Sequence, residues 1–293
     1  MARRAAPAAA RRRIVVVHRP TMNAPCDRTA WLLGGKAACN LRPLRPAQPR
    51  RIVLLGPPGI GKGTQAKLLG AALGACYLSI REILRASPAA APGPALRVAR
   101  DYLRRGDRVP DDAILGLINE RTRCLTCAGG FILDGFPRTV RQAEALDLLL
   151  QKNDEALDAV VLYELPVPAN VPRLLGRRTC PACQRTYHVR TLPPRVAGIC
   201  DDCQIPLAQQ REDRIDSIRL LQHTCAMSPR SLLHHYEERG LLVTVSAQGT
   251  PEEVFLRTID AFPRVPTARP AWNAATLARP DPVHGAPGHR LVT

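Results

Sequence analysis

The sequence predicts an α/β fold, a parallel sheet of five strands with helices on both faces. Three observations support it. Five short β-rich runs, Ile52–Leu55, Cys76–Ser79, Phe131–Asp134, Ala159–Tyr163 and Leu242–Ser246, are separated by helical patterns, the alternation that builds a parallel sheet. The first and third runs read as buried strands, as a sheet covered on both faces requires. The first run also leads directly into Gly56-Pro57-Pro58-Gly59-Ile60-Gly61-Lys62-Gly63-Thr64, the strand, glycine loop and helix start of a P-loop. A sheet of this kind binds nucleotides outside the carboxyl ends of its strands.

Taken in order, residues 1–50 hold eleven of the 42 Lys/Arg and a single acid, Asp27, so +10 of the formal +17 sits there. This stretch mixes Ala, Pro and Arg without periodicity and is expected to be mostly disordered. It reads as an upstream start, as a basic interaction arm, or as a transit peptide that lacks serine. The run Ile14–Val17 is too short for a secretory signal, and no run of 18 apolar residues is present to span a membrane. In the loop after Leu55, glycines let backbone N–H groups turn onto a phosphate chain. The helix over Lys62–Leu73 adds its positive end and Lys62 a full charge. Here Gly63 separates the lysine from Thr64.

Helical patterns follow over Leu96–Arg105 and Asp111–Arg123. Cys124-Leu125-Thr126-Cys127 then precedes a buried strand and reads as core packing, with metal or redox use as the alternative. Phe131-Ile132-Leu133-Asp134-Gly135-Phe136-Pro137-Arg138 is a strand ending in an acid, then a turn carrying an arginine. A carboxylate beside a P-loop suits the water shell of Mg²⁺, and a guanidinium suits a second phosphate. Helices are predicted over Val140–Leu150 and Pro168–Arg177, over Ile215–Arg239 with a break near Pro229, and over Pro251–Phe262. Between them lie Cys180-x-x-Cys183 and Cys200-x-x-Cys203, with sixteen residues between the pairs. Two such knuckles can place four thiolates tetrahedrally about Zn²⁺. All four ligands are protein, so the metal is expected to be structural. Residues 263–293 are Pro-rich and expected to form a loose tail. Cys26, Cys39, Cys76 and Cys225 fall into no pattern.

The segments GPPGIGKGTQA and FILDGFPRTVRQ together resemble the signatures of the adenylate kinase family, and the resemblance runs from about Arg51 to Phe262. It implies a P-loop NTPase-type sheet with two insertions: a helical nucleoside-monophosphate-binding domain over about 80–109 and a zinc-bearing lid over about 177–213. It also implies reversible phosphoryl transfer from MgATP to AMP in a cytoplasmic monomer, with no membrane and no required nucleic acid. Residue by residue, Gly59, Ile60, Gly61, Lys62, Gly63 and Thr64 match the ATP phosphate loop. Arg173, Thr186, Tyr187 and Gly249 fall near the ATP base. Ile80, Arg85, Asp107, Arg108, Val109, Gly135, Phe136, Pro137, Arg138 and Gln142 match the AMP site, with Gln142 at the adenine-reading position. Arg177 and Arg211 fall on lid arginines that close over the transferring phosphate. With Lys62, Arg138 and Asp134 they make up the expected catalytic set.

Three departures stand out. Where the family has STGDxxR this chain reads Ser79-Ile80-Arg81-Glu82-Ile83-Leu84-Arg85, so Ile80 and Arg81 replace a threonine and a glycine. The family's further lid arginine falls at Gln222, or at Leu221 if the helix lacks a residue. The second acid of the lid motif is Arg214. These departures keep alternatives in view: altered monophosphate preference, or a nucleotide-binding relative with little catalysis whose basic arm and lid contact a partner such as RNA.

Overall fold

The computed structural model describes residues 29–34, 50–85, 93–127, 129–183, 185–210, 213–214 and 230–262. The chain divides into two compact units, Met1–Phe262 and Pro263–Thr293, and every described residue belongs to the first. The tail, residues 1–28 and 35–49, Cys26, Cys39, Cys225, Arg211, Gln222 and the helix predicted over 215–229 lie outside the described residues.

The elements are α1 (Thr29–Leu33), β1 (Arg50–Leu55), α2 (Lys62–Leu73), β2 (Cys76–Ser79), α3 (Ile80–Arg85), α4 (Pro94–Arg105), α5 (Asp111–Asn119), α6 (Thr122–Leu125), β3 (Gly130–Asp134), α7 (Val140–Gln151), β4 (Ala159–Glu164), α8 (Val167–Leu175), β5 (Arg177–Thr179), β6 (Thr186–His188), α9 (Arg230–Glu237), β7 (Leu242–Ser246) and α10 (Pro251–Ala261). The main sheet runs β2-β3-β1-β4-β7 and is parallel throughout. All five predicted strands are present. A strand sends successive side chains to opposite faces. Val53 and Leu55 of β1 therefore join Phe131, Leu133 and Val160 in one core, while Ile52 and Leu54 join Ile132, Val161 and Tyr163 in the other. The register sets Leu54 opposite Asp134 and Asp134 opposite Ser79. The carboxyl ends of β1, β2 and β3 thus open at one edge.

Local chemistry sets the helix ends. Helix α10 starts with a capping box, Thr250 and Glu253 each accepting from the other's backbone N–H, and Pro251 fills the first turn. Thr139 caps α7 by accepting from the Gln142 N–H. The helix predicted over Asp111–Arg123 is broken at Arg121, which takes a non-helical φ of −123°. Its buried guanidinium donates back to the Leu117 carbonyl at 2.9 Å and across to the Trp31 carbonyl at 2.5 Å. That second contact pulls the chain out of helical continuation.

Trp31 departs from the disorder expected before residue 50. It is 1% exposed, and its indole N–H donates to the Ser79 carbonyl at 3.0 Å. Its ring packs in the same core as Leu78, Ile80 and Ile83, beneath the helix that starts at Ile80. Trp31→Ala is expected to lower the unfolding free energy by about 3–5 kcal/mol, read as a lower urea midpoint at unchanged slope. An unchanged midpoint would show that α1 contributes nothing to the fold.

The lid is a small module of its own. Strands β5 and β6 pair antiparallel, and bridges tie Thr179 to Ala208 and Ile199 to Pro206. Its buried interior consists of Cys180, Tyr187 and Cys200, with Cys203, Ile205 and Leu207 partly covered. Cys124 and Cys127, outside the lid, are half-buried and in no disulfide. A hydrogen bond from the Cys76 thiol draws Cys127 down to about 6. Among the described residues no helix is long and apolar enough to cross a membrane.

Candidate active site

The glycine loop leaves the carboxyl end of β1 and turns into α2. Gly56 (φ +128°) and Gly59 (φ +80°) both need left-handed backbone, and a Cβ at either would meet the Tyr163 carbonyl oxygen at 2.6 Å or Leu174 at 2.5 Å. Asn170 of α8 ties the loop down by donating to the Pro58 carbonyl at 3.0 Å. Ile60 is buried beneath it. At the helix entry, the N–H groups of Gly61, Lys62 and Gly63 have no acceptor among the described residues. Three such donors beside a helix start form an anion cradle. Thr64 lies exposed in the first turn.

The Lys62 ammonium curls back over this cradle, donating to the carbonyls of Gly56 (2.8 Å) and Pro57 (3.0 Å). Burial pushes its pKa down to about 8. Asp134 opposes the shift, and Arg81, Arg138 and Arg177 reinforce it. Holding the charge below pH 8 costs the fold ~3 kcal/mol. The unfolded chain binds the proton more tightly, so this cost shrinks and stability rises between pH 8 and 10.5. A phosphate anion reverses the preference. Affinity for ATP is accordingly expected to weaken about tenfold between pH 7 and pH 9 as the empty-site lysine loses its proton, measured by titration calorimetry. A flat profile would mean that Lys62 does not face the phosphates.

Asp134 ends β3, and its Oδ2 accepts from the Tyr77 hydroxyl at 3.4 Å. Gly135 (φ +87°) and the cis Phe136–Pro137 peptide turn the chain. Phe136 and Pro137 are buried, and Arg138 emerges exposed, its Nε donating to the Gly135 carbonyl at 3.1 Å. Gln142 is 3% exposed. Its Oε1 accepts from the Arg138 N–H (2.8 Å) and its amide nitrogen donates to Asp111 (2.8 Å). One lone pair and one N–H of that amide remain beyond these two bonds.

On the monophosphate side, Ile80 is 3% exposed and packs in the core. Its side chain fills the space behind α3 and offers no hydrogen bond where the family pattern has a hydroxyl. Arg85 is half-buried on α3. Asp107 pairs with Arg105 in solvent, Arg108 is exposed, and Val109 packs partly on the core.

In the lid, Arg177 makes a two-pronged ion pair with fully buried Asp213, at 2.6 and 2.5 Å. Arg173 and Gly249 meet, the Arg173 guanidinium donating to the Gly249 carbonyl at 3.3 Å. Thr186 is exposed. Tyr187 is 2% exposed, and its hydroxyl lies 3.5 Å from the Cys200 sulfur and accepts from the Asp201 N–H at 2.9 Å. It is a lid-core residue, because so small a module has no other large ring to fill it.

The sulfurs of Cys180, Cys183, Cys200 and Cys203 lie within 4.8 Å of one another, and the Cys183 and Cys200 sulfurs are 3.7 Å apart. Four thiolates at about 2.3 Å from a tetrahedral metal stand about 3.8 Å from each other. None of the four is in a disulfide. The Cys183 N–H donates to the Cys180 sulfur at 3.5 Å, as a knuckle does when it orients a ligand. The donor set fits a tetrahedral, thiophilic ion.

A family model of adenylate kinases matches residues 54–241. The chain belongs to the adenylate kinase family. It is 41% identical over 205 residues to an adenylate kinase of Thermodesulfovibrio yellowstonii, covering 70% of this chain and 95% of the relative. It is 43% identical over 211 residues to one of Gloeobacter violaceus, covering 70% and 95%, and 36% identical over 212 residues to one of Clostridium kluyveri, covering 72% and 97%. The enzyme is thus a kinase that transfers a phosphoryl group from ATP to AMP. The charges felt by Lys62 come from Asp134 and Arg138 at the end of β3 and its turn, from Arg81 of α3 and from Arg177 of β5.

Three contacts around this site escaped sequence reasoning. Asp111 holds both Gln142 and Thr139, the latter at 2.7 Å; nothing local marks it. Asp213 holds Arg177, and its place in the Arg211-Glu212-Asp213-Arg214 run was the available signal. Arg81, which stood out as a departure, reaches Gln210 in the lid at 2.9 Å.

Proposed function

We propose that ATP lies on the Lys62 loop and AMP in the Arg138 turn, with their phosphates meeting between Lys62, Arg138 and Arg177. The observation that carries this reading is the electrostatic environment of Lys62, where one aspartate and three arginines from separate segments converge. Two polyanions brought together need that compensation and in-line placement more than covalent help. The cradle N–H groups of Gly61, Lys62 and Gly63 take ATP phosphate oxygens, with Gly59 and Ile60 shaping the loop. Arg173 and the Gly249 backbone flank the ATP base, beside Thr186. Arg85 and Arg138 take the AMP phosphate, and Gln142 offers its remaining donor and acceptor to the adenine edge. The backbone of Asp107, Arg108, Val109, Gly135, Phe136 and Pro137 lines the AMP pocket. Two of Arg177's five donors hold Asp213, which aims the others at the cleft; Arg211 completes the lid set.

Thr64 and Asp134 would hold Mg²⁺, which would neutralise charge across the ATP phosphates. Zn²⁺ is assigned to the four lid cysteines as a structural ion, supported by their spacing and the module's scant core. The enzyme is assigned as a cytoplasmic monomer. Initial rates of ADP formation from MgATP with AMP, GMP, CMP and UMP test the reading. AMP is expected to be the fastest acceptor. No turnover with any acceptor despite ATP binding would favour the nucleotide-binding relative, and a faster rate with another monophosphate would reassign the acceptor.

A further inference from the structure

We propose that Arg81 is a catalytic residue of the transfer, its guanidinium lying against the transferring phosphoryl group and aimed there by Gln210 of the lid. The proposal rests on the phosphotransferase reading above. It starts from position. Arg81 stands two residues beyond Ser79, which is in register with Asp134, so its backbone rises from the edge at which the P-loop and the Arg138 turn also emerge. Its side chain crosses from the monophosphate side to the lid, where its Nη1 donates to the Gln210 carbonyl oxygen at 2.9 Å.

That oxygen is fixed in turn, because the Gln210 amide nitrogen donates to the Thr179 hydroxyl at 2.9 Å and Thr179 is buried. The Gln210 contact to Arg81 is through a neutral amide, whereas Arg177 is held by the carboxylate of Asp213. The short stretch from Gln210 to Asp213 thus holds two arginines, Arg177 from the lid and Arg81 from the opposite wall. Among the cations that depress Lys62, Arg81 acts more strongly than Arg138 or Arg177. Asp134 offsets part of the positive charge gathered beside Lys62, and the charge developing on a transferring phosphoryl group is suited to offset the rest.

The test compares Arg81→Ala, Arg81→Lys and Gln210→Ala in the full chain, each checked for an unchanged urea midpoint. Arg81→Ala is expected to lower kcat with MgATP and AMP at least a hundredfold. Arg81→Lys should recover part of the loss by keeping the charge. Gln210→Ala, which cuts the tie but keeps the guanidinium, should lose less than tenfold. An Arg81→Ala enzyme within threefold of the wild type would overturn the proposal. So would equal losses in Arg81→Ala and Gln210→Ala with no recovery in Arg81→Lys, the pattern of a lid tie. A second arm, calorimetry with inorganic tripolyphosphate, decides even if the unaltered chain makes no ADP. Affinity at least tenfold weaker in Arg81→Ala supports the contact, and equal affinity rejects it.

Discussion

Lys62→Met is expected to lower kcat/KM for ADP formation at least a thousandfold and, at pH 7, to raise the urea midpoint. The two effects have one cause. The ammonium is held in a buried, cation-rich hollow that pushes its pKa down to about 8, so the empty protein carries a destabilised charge. In the proposed reading, phosphate oxygens are what that charge is positioned for. Removing it relieves ~3 kcal/mol of strain in the empty state and forfeits about 4 kcal/mol or more of transition-state stabilisation, the equivalent of a thousandfold. Stabilised proteins that lose function at a strained site follow this trade-off. A midpoint that falls together with activity would mean that the bonds from Lys62 to the carbonyls of Gly56 and Pro57 are structural. Activity within tenfold of the wild type would remove Lys62 from the chemistry altogether.

Cys200→Ser is expected to abolish metal retention, from one Zn²⁺ per chain to near none, and to lower kcat at least a hundredfold. The main sheet should remain folded. The lid buries Cys180, Tyr187 and Cys200 and little else, far less apolar area than an independent fold needs. Structural zinc supplies about 10–16 kcal/mol in small modules of this kind. Without it β5 and β6 lose their frame, and with them go the placement of Arg177 and the anchor that Thr179 gives Gln210. The core has its own two apolar layers on either face of the sheet and does not depend on the metal. Metal analysis, urea unfolding and initial rates on the same preparation separate these effects. A zinc-free variant with full activity would show that the four sulfurs are not the lid's staple.

Much of the fold was legible because its signals are local. Apolar runs such as Ile52–Leu55 and Phe131–Asp134 mark strands buried on both faces. The glycines after β1 mark a loop that only left-handed backbone can make, and paired cysteines mark the lid. What was not legible depends on partners far away in the chain. Nothing near Arg121 says that its guanidinium will stop a helix by reaching Trp31, 90 residues earlier. Trp31 itself sits in Ala- and Arg-rich sequence whose composition points to disorder, and one buried ring overrides that locally. Pro94 opens α4 two residues before the predicted start, since proline suits a first helical turn. In the proposed site, motif position singled out Lys62, Asp134, Arg138 and Arg177, but not what holds them. Asp111 beneath Gln142, Asp213 beneath Arg177 and Gln210 beside Arg81 are tertiary contacts without a sequence period. Tyr187 is a further case: nothing in its neighbours says that its ring packs into the lid interior.

The most direct measurement is the number of adenine nucleotides bound per chain, taken by calorimetry without magnesium so that no phosphoryl group moves. With ADP alone, two molecules per chain are expected, and Lys62→Met and Arg138→Ala should each weaken a different one. A single binding event in the unaltered protein, weakened alike by both substitutions, would contradict the two-nucleotide cleft on which the kinase mechanism rests.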